Sequence, residues 1–319
     1  MSDLLKKIDA RTKLAGTNKL EILLFTLGLD QRSNRRENFG INVFKVREVM
    51  RTPDITQAPE MPPAVEGMVS LRGNLIPVID LAKYVGVQTE CRPDIMIVSE
   101  YNGHTQGFLV EAVDTILRLD WSQMRVPPEM LNNNMRGLVT AVTELESGKL
   151  VMMLDVEKVL AETNDFDDSH DFKIIQPQED LMGSTVFFAD DSTVARKQIT
   201  RTLDALKLNY IESINGKRAW DELQKIAAQA DITGQPVRSM VQMILTDVEM
   251  PEMDGYMLTK AVKSDPRFAG IPILMHSSLS GGSNQKLGQS VGVDAYVSKF
   301  EPQKLTDAII TMLRSTQSK

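Results

Sequence analysis

Two hydrophobic rhythms divide this chain. From residue 19 to residue 160, short apolar runs are separated by polar turn clusters. The runs Glu21–Leu29, Phe39–Val46, Gly67–Leu71, Leu75–Ile79, Asp94–Tyr101, Thr105–Ala112, Leu138–Leu145 and Lys149–Leu154 read as strands. Arg72-Gly73-Asn74, Asn102-Gly103 and Ser147-Gly148 fall between neighbouring runs. Asn and Gly tolerate positive φ, so these read as hairpin turns. Many short strands with regular turns predict an all-β barrel or sandwich. From Ser184 onward, strand and helix patterns alternate, which predicts a parallel sheet with covering helices. The strands there are Val186–Ala189, Leu208–Ser213, Met243–Leu245, Ile271–Met275 and Ala295–Ser298. Ala195, Ile199, Thr202, Leu203 and Leu206 share a face at helical spacing, Gly216–Ala230 is a second helix, and Leu305, Ala308, Ile309, Met312 and Leu313 line a last one. Residues 3–14, after the possible cap Ser2, read as a modest amphipathic helix packed on its own domain.

Residues 161–182 carry Glu162, Asp165, Asp167, Asp168, Asp171, Glu179 and Asp180 against a single lysine, Lys173. Such a run stays solvated and reads as a linker. Phe166, Phe172, Ile174 and Ile175 interrupt it, so part is expected to dock on a domain. The expected division is a first domain over 1–160, a linker over 161–183 and a second domain over 184–319. The length of 319 residues suits two domains. A net charge of -7 with no basic block argues against a nucleic-acid binder. The single cysteine, Cys91, excludes an intrachain disulfide and fits a reducing compartment. The start lacks a signal-peptide core and no apolar run is long enough for a membrane span, so a cytoplasmic location is expected. His104 and His170 have no ligand-spaced company and read as a strand residue and a solvated residue.

The candidate chemistry lies at strand ends in the second half. The first strand ends in Asp190-Asp191, the third in Asp247, the fourth in His276-Ser277-Ser278 and the last in Lys299. Open α/β sheets hold ligands at the carboxyl ends of their strands. Three carboxylates brought together repel and need a cation, and hard oxygen donors point to Mg²⁺. Met250-Pro251 and Asp254-Gly255 follow as loop and helix-start signals.

Acid pair, lone acid, Met-Pro-Glu-Met-Asp-Gly, hydroxyl and lysine occur in one order over residues 184–315, which resembles the receiver domain of two-component response regulators. The resemblance implies a flavodoxin-like (βα)5 fold in which Asp247 accepts a phosphoryl group from a phosphohistidine. It further implies Mg²⁺ held by Asp191, Asp247 and the backbone carbonyl of Glu249, with Asp190 in support. Lys299 would pair with the phosphoryl oxygens, Ser277 would follow the phosphoryl group, and Tyr296 would be the aromatic that swings in. Three positions depart from the usual pattern. Phe300 stands where a proline follows the lysine across a cis bond, Ser277 replaces the commoner threonine, and Glu249 adds negative charge beside the path of attacking water. Like-charge crowding at Glu249 is expected to change the phosphoryl lifetime.

The first half carries Phe39-Gly40-Ile41-Asn42-Val43-Phe44-Lys45-Val46-Arg47-Glu48-Val49 and Gly67-Met68-Val69-Ser70-Leu71-Arg72-Gly73-Asn74-Leu75-Ile76-Pro77-Val78-Ile79-Asp80-Leu81. Over residues 18–160 it resembles the chemotaxis coupling proteins of the CheW family. That implies two small five-stranded barrels around a shared core, bridging chemoreceptors and the histidine kinase CheA. Val46, Glu48, Val49, Gly67 and Arg72 would then lie on contact surfaces; Ser70 stands where the family usually has asparagine. The two halves together resemble the CheV family, a CheW-like domain fused to a receiver. The implied function is a non-enzymatic scaffold at membrane-associated receptor arrays whose coupling is set by phosphorylation of Asp247, with no nucleic acid and no membrane insertion. Three rivals remain: a phosphate sink draining CheA, a Mg²⁺-dependent phosphohydrolase with an aspartate nucleophile, and a DNA-binding regulator. The phosphohydrolase is disfavoured because its Asp-x-Asp follows the first strand, whereas here the acids are adjacent. The regulator is disfavoured by the acidic balance and by the lack of an output domain after residue 315.

Overall fold

The computed structural model describes residues 19–317 apart from 58, 91–92, 102–103, 136, 164–174, 279–287 and 300. The expected helix over 3–14, Cys91, the Asn102-Gly103 turn, His170 and the residue that closes the Lys299–Phe300 bond lie outside the described residues. Contacts separate the described chain into two compact units, one over 19–163 and one over 175–317.

The first unit contains β1 (Lys19–Thr26), β2 (Asn38–Asn42), β3 (Val46–Arg51), β4 (Val65–Leu71), β5 (Asn74–Asp80), β6 (Ile95–Tyr101), β7 (His104–Val110), β8 (Ala112–Asp120), β9 (Val139–Glu144) and β10 (Leu150–Leu154). Short helices α1 (Leu81–Val85), α2 (Glu129–Asn134) and α3 (Val156–Thr163) complete it. The strands form two five-stranded sheets, ordered β8-β1-β2-β10-β9 and β3-β6-β7-β5-β4. Strand alternation explains why β1 is apolar on both faces. Leu23 and Phe25 enter a core shared with Ile79, Ile97, Phe108 and Val110 of the second sheet. Leu20, Ile22 and Leu24 enter a separate core with Val151 and Met153 of the first sheet. The second sheet has its own core of Val69, Ile76, Val78, Met96, Val98 and Leu109.

Three departures from the sequence reading have local causes. The run over Phe39–Val46 is broken, because the Asn42 carboxamide accepts from the Phe44 amide and starts a 3-10 turn over Val43–Lys45. The first strand stops before Leu29, because Gly28 has φ +112°. Strand β8 escaped notice because it is only half-buried and its apolar residues do not alternate.

The second unit contains β11 (Thr185–Ala189), α4 (Thr193–Ala205), β12 (Asn209–Ser213), α5 (Gly216–Thr233), β13 (Met243–Thr246), α6 (Gly255–Ser264), β14 (Ile273–Ser277), β15 (Ala295–Ser298) and α7 (Pro302–Gln317). Its sheet is wholly parallel in the order β12-β11-β13-β14-β15. Both faces are buried. Val186, Phe188, Leu245 and Leu274 pack with α4 and α7, while Phe187, Ala189, Ile244 and Ile273 pack with α5 and α6. From the acidic stretch, Ile175 and Leu181 join the first of these cores, and Arg314 on α7 donates to Asp180 and Gln178. Among the described residues no helix is long and apolar enough to cross a membrane.

Candidate functional site

The parallel sheet sets the site. β11 and β13 are neighbours in register, so the residues after Ala189 and Thr246 emerge side by side. The Asp247 amide donates to the Ala189 carbonyl at 2.8 Å, which fixes the two strand ends together. One carboxylate oxygen from each of Asp190, Asp191 and Asp247 lies within 4.8 Å of the others. Asp190 and Asp247 are buried, at 0% and 3% exposure.

Asp190 and Asp247 are each held by a backbone amide just downstream. Asp190 Oδ1 accepts from the Ser192 amide at 2.9 Å. Asp247 Oδ1 accepts from the Val248 amide at 2.6 Å. Lys299 arrives from the end of β15, and its amide donates to the Ser277 carbonyl at 2.9 Å. Its ammonium, 1% exposed, lies 2.8 Å from Asp190 Oδ2 and 2.9 Å from Asp247 Oδ2. A buried ammonium is expensive unless paired and hydrogen-bonded; here two carboxylates face it.

Three carboxylates against one ammonium leave two negative charges, the amount a divalent cation neutralises. The three oxygens are near enough for a cation to draw them together. The donor set is all oxygen and hard. The residues present therefore fit Mg²⁺.

Two supports complete the site: the Arg196 contact was not legible in the sequence, whereas Asp254-Gly255 was read there as a helix start. Arg196, one turn into α4, donates to the carbonyls of Asp190 and Asp191 at 2.9 and 3.0 Å. A side chain bonding to backbone carbonyls leaves no spacing pattern to detect. Gly255 opens α6 beneath the phospho-acceptor candidate: a Cβ there would lie 1.9 Å from the Asp247 carbonyl oxygen. Asp254 caps that helix, accepting from the Met257 amide.

Ser277 is fully buried at the end of β14 and hydrogen-bonds to the Tyr296 hydroxyl. Burial pushes the Tyr296 phenol up to about 12. Tyr296 packs against Val248, Tyr256 and Met275. Burial, then the nearby Tyr296 and Glu249, push the Tyr256 phenol up further. Glu249 is 7% exposed beside these phenols. The structure thus brings Asp190, Asp191, Asp247, Ser277, Tyr296 and Lys299 to one end of the sheet.

In the first unit the five residues expected on contact surfaces are placed unequally. Glu48 on β3 pairs with Arg72 at 2.9 Å, and the Arg72 side chain is 65% exposed. Arg72 and Gly73 both have positive φ, the geometry of a type I′ hairpin between β4 and β5. Val49 is half-buried against the shared core, and Val46, at 2% exposure, lies within it. Gly67 has φ +137°, and a Cβ there would meet the Thr56 carbonyl at 2.3 Å, a steric reason for glycine.

Comparison with known proteins agrees with both units. Residues 21–164 match the CheW-like domain and residues 186–310 match the response regulator receiver domain. Chemotaxis protein CheV3 of Helicobacter pylori is 31% identical over 279 residues, covering 86% of this chain and 88% of the relative. Chemotaxis protein CheV1 of the same organism is 29% identical, covering 96% and 97%. Among solved structures, the scaffolding protein TtCheW from Thermoanaerobacter tengcongensis is 28% identical with a TM-score of 0.38, covering 43% of this chain and 84% of that one. The chain belongs to the CheV family, chemotaxis proteins in which a CheW-like domain is joined to a response-regulator receiver domain.

Proposed function

We propose that this protein couples chemoreceptors to the histidine kinase CheA, and that phosphorylation of Asp247 by phospho-CheA sets the strength of that coupling. The observation that carries the reading is the cluster of Asp190, Asp191 and Asp247, with the buried Lys299 ammonium paired to Asp190 and Asp247. An Asp247 carboxylate oxygen attacks phosphorus, the N–P bond of the phosphohistidine breaks, and the freed imidazole takes a proton. The product is an aspartyl phosphate. Phosphoryl transfer of this kind needs positioning and charge neutralisation more than covalent help from the protein. Asp191, Asp247 and the Glu249 carbonyl would hold Mg²⁺, with Asp190 in support, and the ion would neutralise charge on the incoming phosphoryl oxygens. Lys299 turns from the carboxylates toward those oxygens. Ser277 follows the phosphoryl group and leaves Tyr296, which repacks beside Tyr256. A local charge change thereby biases a bistable segment.

In the first unit, the contact surface comprises Glu48 and Arg72, with Val46, Val49 and Gly67 shaping the strands beneath it. Arginine is favoured at interface hot spots. No turnover is expected beyond loss of the transient aspartyl phosphate. The protein works at receptor arrays on the cytoplasmic face of the membrane.

The test is CheA activity on receptor-bearing vesicles with this protein as coupler, with and without acetyl phosphate. Wild type is expected to change kinase output on phosphorylation, and Asp247→Asn to couple at one fixed level. Equal responses from both would contradict the reading. A wild type that drains phosphoryl groups from CheA with no change in coupling would instead identify a phosphate sink.

A further inference from the structure

Asp190 and Asp191 are adjacent in sequence, yet they serve one site. In a continuing strand, side chains 190 and 191 would point to opposite faces of the sheet. Here both carboxylates reach the same place, with one oxygen from each within 4.8 Å of one from Asp247. The chain leaves β11 after Ala189 and bends at Asp191. Asp190 has its own anchors. Its amide donates to the Ser213 carbonyl at 3.2 Å, and its Oδ1 accepts from the Ser192 amide at 2.9 Å.

The bend at Asp191 is tied to α4. Arg196 Nη1 donates to the Asp190 carbonyl at 2.9 Å and to the Asp191 carbonyl at 3.0 Å. Those carbonyls belong to the two planar peptide groups that flank the Asp191 Cα. Holding both planes on one nitrogen fixes φ and ψ of Asp191, and with them the direction of its side chain. Charge does not account for an arginine here. Arg196 stands near the N-terminus of α4, where the helix dipole disfavours a cation. A positive charge beside a cation site also opposes binding of that cation. Through its charge Arg196 weakens Mg²⁺ binding and through its hydrogen bonds it strengthens it, so the two effects differ in sign.

We infer that Arg196 is a positioning residue for the cation site: by clasping both peptide groups around Asp191 it aims that carboxylate at the ion. This inference rests on the Mg²⁺-dependent phosphoryl acceptance proposed above and names a residue that shapes it.

The test is binding of Mn²⁺, an oxygen-seeking stand-in for Mg²⁺, to the full-length protein. Electron paramagnetic resonance of the free ion follows it, with urea unfolding of each variant alongside. Arg196→Met keeps the apolar stem and removes both donor and charge. It is expected to weaken binding by about 10-fold or more, the range for groups that orient metal ligands. Unchanged or tighter binding would overturn the inference, since loss of the charge alone predicts tighter binding. Leu203→Ala truncates the core from the same helix and is expected to lower stability while leaving Mn²⁺ affinity at the wild-type value. Equal weakening by Leu203→Ala would reduce the Arg196 effect to stability and overturn the inference as well. Arg196→Lys keeps the charge and a donor on a shorter stem, and is expected to bind between wild type and Arg196→Met. It carries the test if Arg196→Met fails to fold, with wild-type affinity in Arg196→Lys as the contrary result. A wild type that binds no Mn²⁺ would sink the cation site and this inference together. A wild type that binds it, beside an Arg196→Met that binds equally well, would overturn the positioning role alone.

Discussion

Lys299 is the residue on which the receiver site turns. Its single positive charge pairs with two carboxylates at once, and any group that replaces it must reach both. Glu249 is buried beside the site, where a carboxylate would add like-charge crowding to a phosphoryl group. Glu249→Asn is expected to shorten the half-life of phospho-Asp247 by up to about tenfold, equivalent to about 1.4 kcal/mol of barrier. Radiolabel decay from the isolated phosphoprotein measures it, and equal lifetimes would remove the role. Tyr296 gives a pH signature. Its phenol is raised by burial to about 12, so the neutral form is the one the fold favours. Stability is unaffected below the ordinary phenol range near 10 and falls as pH rises toward 12. Ultraviolet titration of wild type minus Tyr296→Phe is expected to show a component near pH 12 and none near pH 10. At this scale the sequence was most legible where chemistry repeats a pattern of residue types: Asp190, Asp191, Asp247, Ser277 and Lys299 all fall at strand ends as read. Arg196, which bonds to carbonyls, and the Lys45–Glu157 pair, 112 residues apart, have no local signal.

Elements place these residues by close approach. Gly255 lets α6 begin against the Asp247 carbonyl. Gly255→Ala is expected to destabilise the receiver by about 1–3 kcal/mol, the usual range for overpacking, and to slow phosphorylation. Urea unfolding of the full chain, followed by the receiver's transition, checks this. Elsewhere Arg267 binds Asp265 and Gln224 together, joining the end of α6 to α5. The Arg267 guanidinium holds the Asp265 carboxyl well below the usual carboxylate range. The folded state therefore favours the charged form. That contribution is present above the ordinary value near 3.9 and is lost as pH falls below it. Asp265→Asn is expected to flatten the acid limb of the receiver's thermal midpoint between pH 4 and pH 2, with calorimetry as the readout. Continuous apolar runs made the receiver strands readable, because a sheet covered on both faces demands them. Short helices such as α1, and the 3-10 turn over Val43–Lys45, were not readable, since one capping side chain decides them.

As a whole molecule, the chain joins two units of different rhythm, and that change at Ser184 is visible in the sequence. What the pattern left open was the use made of the join. The acidic stretch is not uniformly solvated: α3 runs to Thr163, and Ile175 and Leu181 belong to the receiver core. A polar groove of about 1400 Å³ in the first unit is lined by residues such as Thr52, Asp54, Glu66, Asp80 and Lys83. The central claim is that clustered acids and a divalent ion let Asp247 accept a phosphoryl group. The most direct measurement is transfer of radiolabel from phospho-CheA to the purified protein, run with Mg²⁺, with chelator, and with Asp247→Asn. Label on the wild type with Mg²⁺ alone is the expected result. Equal label on wild type and Asp247→Asn, or transfer undiminished by chelator, would contradict it.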